Sequence, residues 1–181
     1  MAGEKLWSQN VKSGAASGPG TYLIDGEQYV TITTGWGSAF ALTAGYAYDA
    51  AVPSTVGKVV TFKIGGTGLI ADADFTPIER TAKADAFGDE AMLAQGAVAF
   101  SRNCMVCHGA LAASSGVLPD LRWSAITGNP EAWKGVVIDG NLAANGMVSF
   151  AEYLTPEETE AIRAYVLAQA HASADPAGGG Q

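Results

Sequence analysis

Two cysteines and a histidine stand together in the string Cys104-Met105-Val106-Cys107-His108. Cys-x-x-Cys followed directly by His is the pattern through which c-type haem is attached to a polypeptide. The spacing has a chemical reason. Each thiol adds to one vinyl group of the porphyrin, and two intervening residues let the chain span both. The adjacent imidazole then lies under the ring, where it can ligate the iron. Three other uses compete. A thioredoxin-like dithiol oxidoreductase also uses Cys-x-x-Cys, but it wants a βαβ setting and has no need of the following His. A structural zinc site needs four ligands, and the only other strong candidate, His171, falls in a small, polar tail. A disulfide is a poor staple at this spacing inside a helical stretch. Haem attachment is the leading expectation.

The elements around the motif must hold it in place. Upstream, Gly96, Phe100 and Cys104 recur every four residues, which puts them on one helical face. Glycine in mid-helix costs about 1 kcal/mol relative to Ala, so Gly96 points to a close helix crossing. Downstream, Thr155, Pro156 and Glu158 supply an N-cap, a first-turn proline and a capping box for a last helix. Its apolar face runs through Ile162, Tyr165, Val166 and Gln169, with Ala161 beside them. A glycine notch on one helix and an aromatic on the other permit a tight crossing. Between them, Asn129-Pro130-Glu131 opens a short middle helix with Trp133 and Val137 on its buried side.

These residues, from about 85 to 171, resemble a class I cytochrome c domain. That family crosses its first and last helices at a Gly/aromatic contact, which Gly96, Phe100 and Tyr165 match. The resemblance implies a methionine as sixth iron ligand, on a loop well after the haem motif. Of four methionines, Met1 is terminal, Met92 lies on the first helix and Met105 lies inside the attachment loop. Met147, in Asn145-Gly146-Met147-Val148, sits in a Gly-containing loop before the last helix and is the expected ligand. The implied cofactor-binding set is thus Cys104, Cys107, His108 and Met147, with His108 and Met147 on the metal. In Leu118-Pro119-Asp120-Leu121-Arg122 the resemblance also gives the Pro119 carbonyl to His108 Nδ1–H, an outer contact that orients the ligand. Arg122 is left between two readings, a haem-propionate partner and a solvated surface charge.

The first third of the chain has another texture. Thr21 to Ile24, the turn Asp25-Gly26, and Gln28 to Thr33 read as a β-hairpin, and Gly57 to Ile64 as a further strand. Gly35-Trp36-Gly37 and the Ala-rich run to Tyr48 read as loop. Such a stretch is small for an independent core, and it has no disulfide or metal site to help. Gly3-Glu4-Lys5-Leu6-Trp7, the run from Thr21 to Gly37 and the run from Gly57 to Gly66 resemble the closing blades of pyrroloquinoline-quinone (PQQ) quinohaemoprotein alcohol dehydrogenases. Those enzymes join an eight-bladed propeller to a C-terminal cytochrome c domain, in the order seen here.

The fold class expected is therefore two-part: an N-terminal all-β fragment, the closing strands of a β-propeller, and a C-terminal all-α class I cytochrome c domain. The expected boundaries are 1–66 for the blade segment, 67–84 for a linker, 85–171 for the cytochrome domain and 172–181 for a flexible tail. The resemblance implies PQQ and calcium only in a larger parent, together with a catalytic Asp and an adjacent-Cys disulfide ring. None of these maps onto this chain: Asp25, Asp49, Asp72 and Asp74 read as turn formers or solvated charges. Trp36 could line a quinone pocket only in the company of the missing residues. No catalytic residue is expected here, and the chain reads as a C-terminal part of something longer.

Charge and hydropathy narrow the partners. The net charge is −8 over 181 residues, with no basic stripe for phosphates, so nucleic acid is not an expected partner. No apolar run approaches the roughly 20 residues of a membrane helix, and the N-terminus lacks the features of a secretory signal. Haem c attachment and the resemblance nevertheless imply the periplasm, with any signal in the absent upstream part. The expected function is electron transfer from a reduced PQQ centre, in a propeller domain or subunit, to an external acceptor such as a small cytochrome, a blue copper protein or a quinone. The acidic surface would suit a basic redox partner. A second possibility is a haem-bearing accessory subunit whose strands complete a blade on a separate propeller chain.

Overall fold

The computed structural model describes residues 3–15, 17–35, 45, 57–71, 79–114 and 118–174. The chain divides into two compact units, one of Met1–Ala41 with Ala51–Pro77, the other of Leu42–Ala50 with Ile78–Gln181. Trp36, Asp49, Asp72 and Asp74, most of the expected 35–48 loop and part of the expected linker lie outside the described residues.

The first unit is a three-stranded antiparallel sheet in the order β1 (Gly20–Ile24), β2 (Glu27–Thr34), β3 (Lys58–Lys63). The β1–β2 turn is the two-residue Asp25-Gly26, with φ of 52° and 80°. Positive φ at both positions gives the twist that hairpin strands require, and Asp-Gly tolerates it. Alternation then sorts the side chains. On one face Tyr22 stacks on Tyr29 at 5.6 Å between ring centroids, and Lys63 extends over Tyr29 to reach Glu27 at 2.8 Å. The Oγ1 atoms of Thr31 and Thr61 meet at 2.8 Å. The other face carries Val30, Val60 and Phe62, with Trp7 edge-on to Phe62 at 5.1 Å. Among the described residues of this unit, Val60 alone is a buried hydrophobic, whereas Leu6, Trp7, Leu23, Ile24, Val59, Ile64 and Leu69 are exposed. The pairing is well formed, but it encloses almost no core of its own.

The second unit is helical. Helix α1 (Glu90–Asn103) is capped by Asp89, whose carboxylate accepts from Met92 N. A four-residue helical turn, α2 (Met105–His108), follows directly. Helix α3 (Pro130–Val137) starts at the Asn129 N-cap with Pro130 in its first turn. Helix α4 (Pro156–Ser173) has the complete capping box, Thr155 Oγ1 accepting from Glu158 N and Glu158 accepting from Thr155 N. Short 3₁₀ turns at Ala110–Ala112, Leu121–Trp123, Ala125–Gly128 and Ala143–Asn145 link these helices.

α1 and α4 cross at the glycine. A Cβ placed on Gly96 would stand 2.0 Å from the Ala161 carbonyl oxygen and 3.0 Å from Tyr165 Cβ. Nothing larger than hydrogen fits there, and Phe100 completes the contact with its ring 5.4 Å from that of Tyr165. The core gathers Phe100, Cys104, Leu121, Trp133, Val137, Leu154, Ile162 and Val166. Trp133, fully buried, donates from Nε1 to Thr159 O at 3.0 Å, so its one polar atom is satisfied.

Two sequence expectations change. α4 is buried on more than one face: Arg163, Ala164, Leu167 and Ala170 are buried as well as Ile162 and Val166. It packs at once against α1, α3 and three of the 3₁₀ turns, so a single apolar stripe underestimates its environment. His171 is not in a tail either. α4 runs on to Ser173 through the helix-favouring Ala168-Gln169-Ala170, and a ring nitrogen of His171 lies 2.9 Å from Ala84 O.

Candidate functional site

Cys104 closes α1 as its C-cap, its N–H donating to Phe100 O at 2.8 Å. The same residue opens the α2 turn, where His108 N donates to Cys104 O at 2.9 Å and Cys107 N to the same oxygen at 3.1 Å. One tight turn therefore carries both thiols and the imidazole. Both cysteines are free thiols, Cys104 buried and Cys107 exposed. Burial, with a smaller contribution from Cys107, pushes the Cys104 thiol up to about 12.

His108 is buried, and its Nδ1 lies 3.1 Å from the Pro119 carbonyl oxygen. That bond makes Nδ1 the protonated nitrogen and leaves Nε2 as the donor for a metal. Burial lowers the His108 pKa, against smaller raising effects from the Pro119 bond and the Asp120 charge. The ring is thus held neutral, the form that ligates a metal.

Met147 follows Gly146, which takes a left-handed φ of 93° at the end of the 143–145 turn. The loop is fixed by Met147 N to Leu142 O at 3.2 Å and by Phe150 N to Val137 O at 2.8 Å. Met147 is partly buried and packs on the same core cluster to which Cys104 belongs, as does Met105. His171 stands elsewhere, at the far end of α4, held to Ala84.

Arg122 is not a solvated charge. Its side chain is 3% exposed, and Nη2 reaches Asp120 Oδ2 at 2.7 Å while Nε reaches Oδ1 at 3.0 Å. The guanidinium also lies over the Trp123 ring, 5.0 Å from its centroid. Asp120 was not singled out in the sequence. The signal was present all the same: an acidic residue at an N-cap position two residues before Arg122, next to the proline expected to serve His108.

The donor set suits a covalently held haem. Two unbridged thiols on one turn, a buried neutral imidazole oriented through Nδ1 and a thioether on an anchored loop over the shared core are its chemical requirements.

Comparison with known proteins defines the class. Residues 91–166 match the family model described as cytochrome C oxidase, cbb3-type, subunit III, and this stretch is a cytochrome c domain. Over nearly its whole length the chain is homologous to the C-terminal, cytochrome-bearing part of quinohaemoprotein alcohol dehydrogenases. It is 39% identical over 170 residues to quinohaemoprotein alcohol dehydrogenase ADH-IIG of Pseudomonas putida, covering 93% of this chain and 23% of that protein. It is 33% identical over 177 residues to the dehydrogenase subunit of the quinone alcohol dehydrogenase of Gluconobacter oxydans, covering 96% and 23%. The solved structure of the Pseudomonas putida enzyme superposes with a TM-score of 0.77 at 38% identity, covering 93% of this chain and 24% of that one. The chain spans about a quarter of the length of the curated relatives it matches. No helix among the described residues is long and apolar enough to cross a membrane.

Proposed function

We propose that this chain would hold one haem c through thioethers to Cys104 and Cys107, with His108 and Met147 as the residues that ligate its iron, and relay electrons from a reduced PQQ centre to an external acceptor. One contact carries most weight, the His108 Nδ1–Pro119 O bond at 3.1 Å, since a plain dithiol has no use for an oriented imidazole beside it.

When bound, haem supplies one-electron chemistry at a potential set by its ligands, and Met/His ligation raises that potential. The protein's own residues do the rest. Pro119 orients His108 and strengthens it as a donor, the turn at Cys104 fixes the attachment points, and Leu121, Trp133 and Val137 keep water from the core behind them. Oxidising an alcohol takes two electrons, so a one-electron carrier serves twice in each turnover.

The sheet of the first unit is read as closing strands of a PQQ propeller, supported by its exposed apolar residues and by the relatives' extra length. A second reading is that this sheet docks on a separately encoded propeller chain, with the haem domain acting as an accessory subunit. The match to one quarter of a single dehydrogenase subunit in Gluconobacter oxydans favours the first reading, in which the propeller and the cytochrome domain share one polypeptide. Localisation in the periplasm fits covalent haem attachment. The acceptor is expected to be a small cytochrome, a blue copper protein or a quinone.

Substitution of Met147 by Ala in haem-loaded protein tests the ligand set. The variant should lose the weak far-red absorption of Met-ligated ferric haem, and its midpoint potential should fall. An unchanged far-red band would remove Met147 from the metal.

A further inference from the structure

The carbonyl that accepts the hydrogen bond from His108 Nδ1–H belongs to a loop that the Asp120 carboxylate helps to hold. Asp120 follows Pro119 directly, and its side chain accepts four hydrogen bonds. Oδ1 takes Arg122 N at 3.1 Å and Arg122 Nε at 3.0 Å. Oδ2 takes Arg122 Nη2 at 2.7 Å and Ser114 N at 3.2 Å. Ser114 also donates from Oγ to Leu118 O, so both flanks of Pro119 are tied down. The Asp120–Arg122 pair is nearly buried, at 9% and 3% side-chain exposure.

Backbone geometry turns this clamp into control of the acceptor. The ring of Pro119 fixes its φ, so its carbonyl is aimed mainly by ψ and by the peptide plane shared with Asp120. Asp120 sits at φ −72° and ψ 110° as the N-cap of Leu121–Trp123. A side chain held by four donors fixes the Asp120 Cα and, with it, that plane. We infer that Asp120 is a positioning residue for the iron ligand: clamped by Arg122 and Ser114, it holds the Pro119 carbonyl on His108 Nδ1. The inference rests on the reading above that His108 ligates haem iron. Hydrogen bonds of this outer kind raise the basicity of a ligating imidazole. Loosening the clamp therefore weakens the ligand and favours reduced iron.

The test uses the full haem-loaded chain with Asp120→Ala, Asp120→Asn and, as a stability control, Asn129→Ala. Asn129 caps α3 through Ala132 N at 3.0 Å on an exposed surface, so its loss destabilises without touching the clamp. The readouts are solvent exchange of the His108 Nδ1–H by NMR in the reduced protein, and the midpoint potential. Exchange should accelerate at least tenfold in Asp120→Ala, lie between the extremes in Asp120→Asn and stay at the parent rate in Asn129→Ala, with both Asp120 variants shifted to higher potential. Unchanged exchange in a haem-retaining Asp120→Ala overturns the inference, as does equal acceleration in Asn129→Ala. If Asp120→Ala fails to retain haem, Asp120→Asn decides alone, and parental exchange there is equally fatal. A parent chain that binds no haem would defeat the proposed function itself, whereas loaded protein with unmoved exchange defeats only the role of Asp120.

Discussion

Gly96 and Ala161 touch backbone to backbone: a Cβ on the first would lie 2.0 Å from the carbonyl oxygen of the second. This crossing sets how α1 and α4 meet, and α1 ends at Cys104, so the helix contact fixes where the haem motif begins. Gly96→Ala would improve helix propensity by about 1 kcal/mol yet force the helices apart. A net loss of about 3 kcal/mol is expected, the upper part of the range for overpacking. Denaturant unfolding of haem-loaded protein measures it. A variant as stable as the parent would mean that the two helices do not meet at this residue.

Trp133 offers a separate check on the core. Its Nε1 donates to Thr159 O at 3.0 Å inside the α3–α4 contact. Trp133→Phe removes that bond and part of the ring volume, and should cost about 1–3 kcal/mol. The same unfolding assay reads it out, and no loss would show the indole bond to be dispensable.

The two units should differ in local stability. The sheet buries one hydrophobic among its described residues, Val60, whereas α4 buries six: Ala161, Ile162, Ala164, Val166, Leu167 and Ala170. Backbone pairing without a core opens readily. In hydrogen exchange on the whole haem-loaded chain, amides of β1 to β3 should exchange well before those of α1 and α4. Equal protection in both units would contradict the view that the sheet depends on further protein to cover it.

Features governed by local chemistry were legible in the sequence. The Asp25-Gly26 turn, the capping box of Thr155 and Glu158 and the Asn129 cap each depend on a few neighbouring residues, and each stands where the sequence puts it. Features governed by tertiary partners were not. Arg122 read as equally fit for the surface or for a cofactor, and its burial follows from Asp120 and Trp123, which the loop brings beneath it. His171 read as part of a tail, because the contact that engages it, Ala84 O, lies 87 residues away in the chain. Of the site, the Cys104–His108 turn was plain, and so was the Pro119 acceptor once the family was in view. The carboxylate behind that acceptor became visible only with the loop in place.

The most direct measurement is whether haem stays with the polypeptide after the chain is matured with a haem-attachment system and then denatured. Mass spectrometry of the denatured protein should show one haem per chain, with a sharp α-band on reduction beforehand. Cys104→Ala/Cys107→Ala, made in parallel, should carry none covalently. A colourless parent of unmodified mass would contradict the cytochrome account and bring the dithiol reading to the front.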